Sequence, residues 1–298
     1  GTRSTVATLA GYQRVSPAVS FEELSRDGRW LALVADNDNF VAYNIAENRF
    51  GARLTRGSGV LTGTGCSATD NSPNWVGVSP GGRYMDIQWN RDGSGACEGV
   101  QVFDIETGAY AGHVADNRQH SDKGIDENGN DVYVSPYFGS SLLLAVTRYP
   151  GSINFADRYD KVILDTGWEH IDHISCQGPN GICVITGGGT ASEPFGDEAY
   201  LVYTSGSAAD NGQNNNAKVR RLAHIRSTTS DYFHQPQASM ARNGSYVVFA
   251  SDWGNANGGA NDYLIDLRNR DISVSSPLNG FSQLAAQILS KRLPWMLP

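Results

Sequence analysis

Three histidines stand at matching places in successive parts of the chain. They are His120 in QHSDKG, His173 in HIDHISC and His234 in FHQPQAS, and each lies where a predicted strand begins. An imidazole near neutral pH can act as a general base, and neutral imidazoles also bind divalent metals. If the three strands are equivalent, the three imidazoles converge on one site. The alternative is that each histidine hydrogen-bonds nearby backbone at the start of its own strand.

Other side chains near these histidines suggest further roles. Tyr232 lies two residues before His234 and could exchange a proton beside it, or serve as a rim aromatic. Gln237 could join the three histidines as a metal ligand, with Mn, Ca or Zn as the candidate ions. Arginine side chains pair with carboxylates, and exposed aromatic rings stack on sugars. The candidate substrate-binding residues are Arg148, Arg226, Trp168, Trp253 and Tyr137, although a solvated arginine or a buried aromatic is the usual alternative.

The elements that must position these residues form a repeat. In Tyr232–Gly254 an apolar strand runs to the turn Arg242-Asn243-Gly244, and a second strand runs back from it. Glycine adopts positive φ without steric cost, so this sequence is typical of a tight hairpin. Similar hairpins have their turn glycines at positions 28, 82, 129, 181 and 244, which gives a period of about 50 residues. A period of this size indicates a solenoid, a propeller or another repeat array.

Each repeat contains four predicted antiparallel strands, named a to d. Four-stranded units at a fixed period predict an all-β propeller of five blades in a single domain over residues 1–298. The predicted blades cover residues 17–56, 71–116, 119–166, 170–226 and 232–276. A strand within residues 2–16 could pair with the last blade and close the ring. Residues 277–298 form a tail, in which Phe281–Arg292 has apolar residues at helical spacing and predicts a short helix.

The turn sequences resemble a known family of repeats. SRDGRWLALV, SPGGRYMDIQW and MARNGSYVVFA are similar to the WD40-like repeats of the TolB type, in which a serine or proline precedes Asp-Gly-Arg or a variant and then an apolar strand. The resemblance covers most of the chain and implies the propeller architecture. It implies little about activity, because one fold carries many functions.

The connecting loops divide into two ends of the predicted blades. The a–b turns are tight, whereas the b–c and d–a loops at the opposite end are long and carry the candidate side chains. Cys66 and Cys97 fall at that end, while Cys176 and Cys183 flank a hairpin turn. An even number of cysteines with local pairing predicts two disulfides, Cys66–Cys97 and Cys176–Cys183, and an oxidising compartment. Four reduced core cysteines are the alternative.

Composition excludes several classes of partner. The net charge is -8 and basic residues do not cluster, which argues against nucleic acid. No apolar run approaches the length of a transmembrane helix. The predicted disulfides and their oxidising compartment give a secreted, extracellular or periplasmic protein as the expected location, and a carbohydrate or an extracellular protein is the expected partner.

A second resemblance points to an activity. His234-Gln235-Pro236-Gln237, with His120 and His173 on neighbouring repeats, is similar to the histidine-lined channel of propeller polysaccharide lyases of the oligogalacturonate lyase group. That resemblance implies β-elimination on an acidic polysaccharide and a divalent metal held by His and Gln side chains. Those lyases generally have seven blades, whereas five repeats are visible in this sequence. Two alternatives stay open, a non-catalytic propeller that binds glycans or a protein, and a structural subunit of an extracellular assembly.

Overall fold

The structure, a computed structural model, describes eleven parts of the chain and no α-helix within them. They are residues 15–17, 24–36, 39–56, 73–93, 97–116, 120–153, 159–167, 171–188, 195–228, 234–255 and 257–272. In these parts no helix is long and apolar enough to cross a lipid bilayer. The predicted tail helix and the ring-closing strand before residue 15 both lie outside the described residues.

The strands form antiparallel sheets in simple sequential order, which is consistent with propeller blades. Sheet 1 contains β1 (Val15–Pro17), β2 (Trp30–Ala35), β3 (Asn39–Asn44) and β4 (Arg49–Thr55). Sheet 2 contains β5 (Pro73–Val78), β6 (Tyr84–Trp89), β7 (Val100–Asp104) and β8 (Tyr110–Ala115). Sheet 3 contains β9 (Asp122–Ile125), β10 (Asp131–Phe138), β11 (Leu142–Arg148) and β12 (Lys161–Gly167).

The second half of the chain contains two further large sheets and a small hairpin. Sheet 4 contains β13 (His173–Ser175), β14 (Ile182–Gly187), β15 (Glu198–Tyr203) and β18 (Val219–His224). Between its last two strands lies the hairpin of β16 (Ser207–Ala209) and β17 (Gln213–Asn216). Sheet 5 contains β19 (Ser239–Met240), β20 (Tyr246–Ser251) and β21 (Asn261–Asp266).

Two details of the strand prediction differ from the structure. Val15–Pro17 pairs with β2, so these residues belong to sheet 1 rather than to a segment outside the repeats. A fourth strand of sheet 5 is predicted near Asp271–Val274. Asp271 and Ile272 are not in a strand, and the next two residues lie outside the described parts. Four sheets therefore have the predicted four strands, while the total of five complete blades stays a prediction.

The chain groups into two compact units. The first comprises Gly1–Gln119, Asn130–Tyr133 and Thr147–Asp160, and the second comprises His120–Gly129, Val134–Val146 and Lys161–Pro298. Sheet 3 thus supplies residues to both units. In the first unit, apolar side chains of sheets 1 and 2 form a shared core that includes Trp30, Phe40, Met85, Trp89 and Phe103. In the second unit, sheets 4 and 5 share a core that includes Val184, Leu201, Met240, Val247 and Phe249.

The tight turns between the first two strands of each sheet have the predicted geometry. Their glycines, Gly28, Gly82, Gly129, Gly181 and Gly244, all have φ between 72° and 86°. At Gly82 the absence of a side chain also matters, because a Cβ there would lie 2.8 Å from the Trp30 ring. Successive turns touch one another, as in the hydrogen bond from the Arg26 amide to the Pro80 carbonyl. The repeat sequence therefore determines both the turn and its contact with the next turn.

The last strand of each of sheets 1 to 4 is contacted by the chain that follows the third strand of the next sheet. The Ala52 amide of β4 donates to the Ile105 carbonyl, and His113 of β8 exchanges two backbone hydrogen bonds with Ser152. In β12 the Asp165 backbone amide and carbonyl both bond to the side-chain amide of Asn214, at 2.9 and 2.7 Å. In sheet 4 the contact is made by side chains: Arg220 of β18 donates to the Asp271 carbonyl, and Tyr203 of β15 donates to the Ile272 carbonyl. We call these contacts the edge caps.

Candidate functional site

The structure brings His120 and His173 into direct contact. His120 lies just before β9, and His173 is the first residue of β13. Their Nδ1 atoms are 3.2 Å apart, and the rings cross edge to face at 74° with centroids 4.3 Å apart. Two histidines from neighbouring sheets of the second unit therefore form one pair, which we call the histidine pair.

A buried carboxylate holds the two strands that carry the pair. Asp122 accepts hydrogen bonds from the Cys176 amide at 2.5 Å, from the Lys123 amide at 2.6 Å and from the Gln177 side chain at 3.2 Å. The close approach also needs Gly124, where a Cβ would lie 2.8 Å from the Cys176 Cβ. Burial raises the pKa of Asp122 to about 6, and the donated hydrogen bonds oppose that shift. Asp122 therefore ties β9 to the end of β13 and places His120 beside His173.

A third sheet contributes Gln235 to the site. Its Oε1 atom lies 2.9 Å from Nε2 of His173. With the Gln235 amide assigned so that Oε1 faces the ring, this oxygen accepts, and His173 donates through Nε2–H and keeps a lone pair on Nδ1. Nδ1 of His120 must then donate to that lone pair. As a result, the unprotonated nitrogen of His120 is Nε2, the atom turned away from the pair.

Burial lowers the pKa of both imidazoles. His173 is half-buried, and desolvation lowers its pKa to about 4; the Gln235 hydrogen bond opposes this shift and the proximity of His120 adds to it. The His120 side chain is exposed, but desolvation by the surrounding protein still lowers the pKa of its imidazole. Both rings are therefore neutral at pH 7, which is the form that the pattern of donors and acceptors requires.

His234 has different partners from the other two histidines. Its Nε2 atom lies 2.9 Å from the carbonyl oxygen of Gly258, in the loop between β20 and β21. The carbonyl oxygen of His234 itself accepts a hydrogen bond from the Ser227 hydroxyl. His234 thus connects its own segment to two loops, and the following residue, Gln235, reaches the histidine pair.

The aromatic and arginine candidates lie at several places. Trp253 is 44% exposed and its ring is stacked with Tyr263 at 5.1 Å, while the Arg226 guanidinium lies over the same ring at 5.6 Å. Tyr137 is half-buried in β10, and Arg148 is exposed at the end of β11. Tyr232 and Trp168 lie outside the described residues. Gln237 is exposed and has a positive φ of 40°.

The cysteines agree with the disulfide prediction where the structure describes them. Cys176 and Cys183 form a disulfide across the β13–β14 hairpin, with Cα atoms 4.1 Å apart. Cys97 is buried and disulfide-bonded. Its predicted partner, Cys66, lies outside the described residues. The hairpin disulfide is confirmed, and it closes the turn immediately after the strand that carries His173.

The donor set within the described residues does not make a complete metal site. The two Nδ1 atoms of the histidine pair are separated by a distance that adjacent ligands of one ion could have. No group of three His, Cys, Asp or Glu side chains suited to a metal ion occurs in the described parts of the chain. His234, the predicted third ligand, is instead bonded to a backbone carbonyl. No step of the proposed chemistry below therefore passes through a metal.

Two residues of this site were missed by sequence reasoning. Gln235 lies in the same HQPQ motif as Gln237, but the motif alone does not tell which amide faces a histidine. Asp122 is preceded by Ser121 and followed by Lys123, so it has the appearance of a solvated turn. The one available signal was its position at the start of a predicted inner strand, two residues after His120.

Comparisons with known proteins add little to the geometry. No protein-family model and no curated protein matches the sequence. Among solved structures, the chain is similar to an oligogalacturonate lyase in complex with manganese, with a TM-score of 0.43 and 12% identity over 84% of this chain and 77% of that chain. It is also similar to Kluyveromyces lactis Hsv2, with a TM-score of 0.42 and 11% identity over 84% of this chain and 59% of that chain. At these scores neither similarity carries an argument about function.

Proposed function

We propose that this protein is a lyase that cleaves an acidic polysaccharide by β-elimination, with His120 as the general base. The observation that carries the proposal is the contact between Nδ1 of His120 and Nδ1 of His173 at 3.2 Å. This contact, together with the bond from His173 to Gln235, leaves the lone pair of His120 on its outward nitrogen. A general base needs an accessible lone pair and a fixed orientation, and both conditions are supported here.

The proposed reaction balances in one elimination step. Nε2 of His120 removes the proton from the carbon next to the uronate carboxylate. The electron pair of that C–H bond forms a carbon–carbon double bond, and the neighbouring C–O bond to the leaving sugar breaks. The leaving oxygen keeps the electrons of that bond and takes a proton from water. The products are an unsaturated uronate end and a new hydroxyl group.

His173 is proposed to support the base rather than to react. When Nε2 of His120 takes up a proton, the ring becomes a cation whose Nδ1–H points at the lone pair of His173. A hydrogen bond to the charged form stabilises that form, so the contact supports the protonated intermediate state. Arg226 is the proposed partner of the substrate carboxylate, because a guanidinium can bind a carboxylate through two parallel hydrogen bonds.

The disulfide supports a location outside the reducing cytosol. Cys176–Cys183 is formed in the second unit, and such bonds persist chiefly in oxidising compartments. We therefore propose a secreted or periplasmic protein, where extracellular polysaccharides are available as substrates.

The test is an assay for the unsaturated product, which absorbs in the ultraviolet. The purified protein is incubated with polygalacturonate and with other uronate polymers, and we expect absorbance to grow with at least one of them. The His120→Ala variant should lose this activity while keeping the melting temperature of the parent. His224→Ala is the matched control, because His224 is exposed on β18 and its side chain lies 3.9 Å from Glu198 rather than in the pair. Equal activity in the His120→Ala variant would refute the base assignment.

A second candidate function is glycan binding without catalysis. The observation in its favour is the exposed ring of Trp253, stacked with Tyr263 and covered by Arg226. Binding of acidic oligosaccharides by calorimetry would distinguish the two functions. A binding module should lose affinity in Trp253→Ala and keep it in His120→Ala, with no unsaturated product from any variant.

A further inference from the structure

Sheet 5 is buried on one face. Its β20 and β21 strands direct Val247, Phe249 and Ile265 into the core that they share with sheet 4. Met240 of β19 and Leu267, just after β21, join the same core. Every second side chain of the two long strands points to this buried face, because successive side chains of a strand point to opposite faces of the sheet.

The opposite face of sheet 5 is apolar at its centre and open. Val248 and Leu264 are directly opposite each other in the β20–β21 register, and they are 41% and 36% exposed. By contrast, every residue of β14 and β15 in sheet 4 is buried. We call the residues of this exposed surface the open face; they are Tyr246, Val248, Ala250, Asp262, Leu264 and Asp266.

The chain that follows sheet 5 has the composition to cover this face. After Ile272, eight residues lead to the predicted helix of Phe281–Arg292, and an extended chain of that length spans about 30 Å. Phe281, Leu284 and Ile288 are spaced at i, i+3 and i+7, which places them on one side of a helix. This apolar side matches the apolar centre of the open face.

The charges at one end of the face also match. Asp262 is an exposed carboxylate on the open face, whereas Asp266 at the other end is already paired with Arg268. The predicted helix ends in Lys291 and Arg292. Opposite charges at the rim of an apolar contact fix its direction more than its strength.

We propose that residues 281–292 pack as an amphipathic helix on the open face of sheet 5, with Leu284 and Ile288 against Val248 and Leu264. The contact covers an apolar sheet face that would otherwise be exposed to water, and its driving force is the burial of that surface. The inference does not depend on the proposed activity.

The test measures how fast a single introduced thiol reacts on the open face. Cys97, Cys176 and Cys183 are all in disulfides, so they do not compete for a thiol reagent. Leu264→Cys is prepared in the full chain, alone and together with Ile288→Asp. We expect slow labelling of the first protein and labelling that is several-fold faster in the second, because a charge on the apolar side of the helix releases it. Ile153→Cys is the matched control, since Ile153 is 73% exposed and lies outside sheet 5.

Each other outcome would overturn the proposal. Fast labelling of Leu264→Cys that does not change with Ile288→Asp means that the face is uncovered. Slow labelling that depends on protein concentration means that a second copy covers it. Slow labelling that responds to removal of residues 1–14, and not to Ile288→Asp, assigns the contact to the N-terminal segment. A melting curve for each variant confirms that the comparison is made on folded protein.

Discussion

His120 and His234 are predicted at matching places in their repeats, yet the structure gives them different environments: His120 lies two residues before β9, whereas His234 lies five residues before β19. His120 contacts the nitrogen of another imidazole, and its own Nε2 is left with a lone pair. His234 contacts the Gly258 carbonyl, so its ring nitrogen is used to hold a loop. The difference teaches that the type of partner, rather than the position in the repeat, decides whether a histidine is available for chemistry.

The largest effect should come from removing the histidine pair. His120→Ala and His173→Ala should each lower the lyase rate by about 10²–10⁴-fold, which is the usual contribution of a general base. The double variant should lose no more than the greater single loss, because the two rings act as one unit. Rates of product formation at saturating substrate measure this. Additive losses would show that the two rings act separately.

A smaller loss of rate is expected from Gln235→Leu. Leucine keeps a similar volume but accepts no hydrogen bond, so His173 would no longer be held as its Nε2–H tautomer. His120 could then place its lone pair on either nitrogen, and only part of the population would be active. Gln235→Glu is the informative companion, because it keeps the acceptor and should retain more activity than Gln235→Leu. If leucine and glutamate have equal rates, the tautomer argument is wrong.

His234→Ala should show the reverse pattern. Loss of its bond to the Gly258 carbonyl is expected to lower the free energy of unfolding by about 1 kcal/mol, the typical value for one hydrogen bond. The rate should fall less than in His120→Ala, since Nε2 of His234 bonds the Gly258 carbonyl rather than an imidazole. Thermal melting and product assays on the same samples measure both quantities. A near-complete loss of rate at unchanged stability would place His234 in the catalytic group after all.

The smallest effect concerns pH and a fourth histidine. His113 is buried and its Nε2 lies 2.8 Å from the Glu98 carbonyl, and burial lowers its pKa to about 4. Because the folded pKa lies below the unfolded value of 6.5, the unfolded state binds more protons between these values. The contribution of His113 to stability should therefore be complete above pH 6.5 and be lost as the pH falls to 4. His173 adds a change of the same sign, and the raised pKa of Asp122 adds one of the opposite sign. Melting temperatures across this range test it, and His113→Gln should flatten the dependence.

Much of the fold follows from local sequence. The five turns predicted from their glycines separate the first two strands of each sheet, as between β5 and β6, because apolar runs end at clear turn signals. The hairpin of β16 and β17 was not predicted. Its strands are polar, and it is stabilised by side chains such as Asp210, which accepts from the Ser140 amide at 3.0 Å in another sheet.

The site was only partly predictable for a related reason. The matching positions of His120 and His173 follow from the repeat, and the turn glycines make that repeat recognisable in the sequence. The partner of His234 is the carbonyl of Gly258, 24 residues away in an irregular loop. The repeat period does not predict a contact of this kind. Gln235 acts through one hydrogen bond to His173, and Asp122 acts through hydrogen bonds from Cys176 and Gln177; these contacts are set by packing rather than by pattern.

The edge caps have a consequence for the order in which the chain is completed. In sheets 1 to 3, the following repeat satisfies backbone groups of the last strand, as Asn214 does for Asp165. During synthesis, a finished sheet must wait for about fifty more residues before its outer strand is covered. Until then the strand presents free amides and carbonyls that could recruit any neighbouring chain. A ribosome-bound or truncated chain that stops between β12 and Asn214 should accordingly be more prone to aggregate, and more dependent on chaperones, than a chain that includes Asn214.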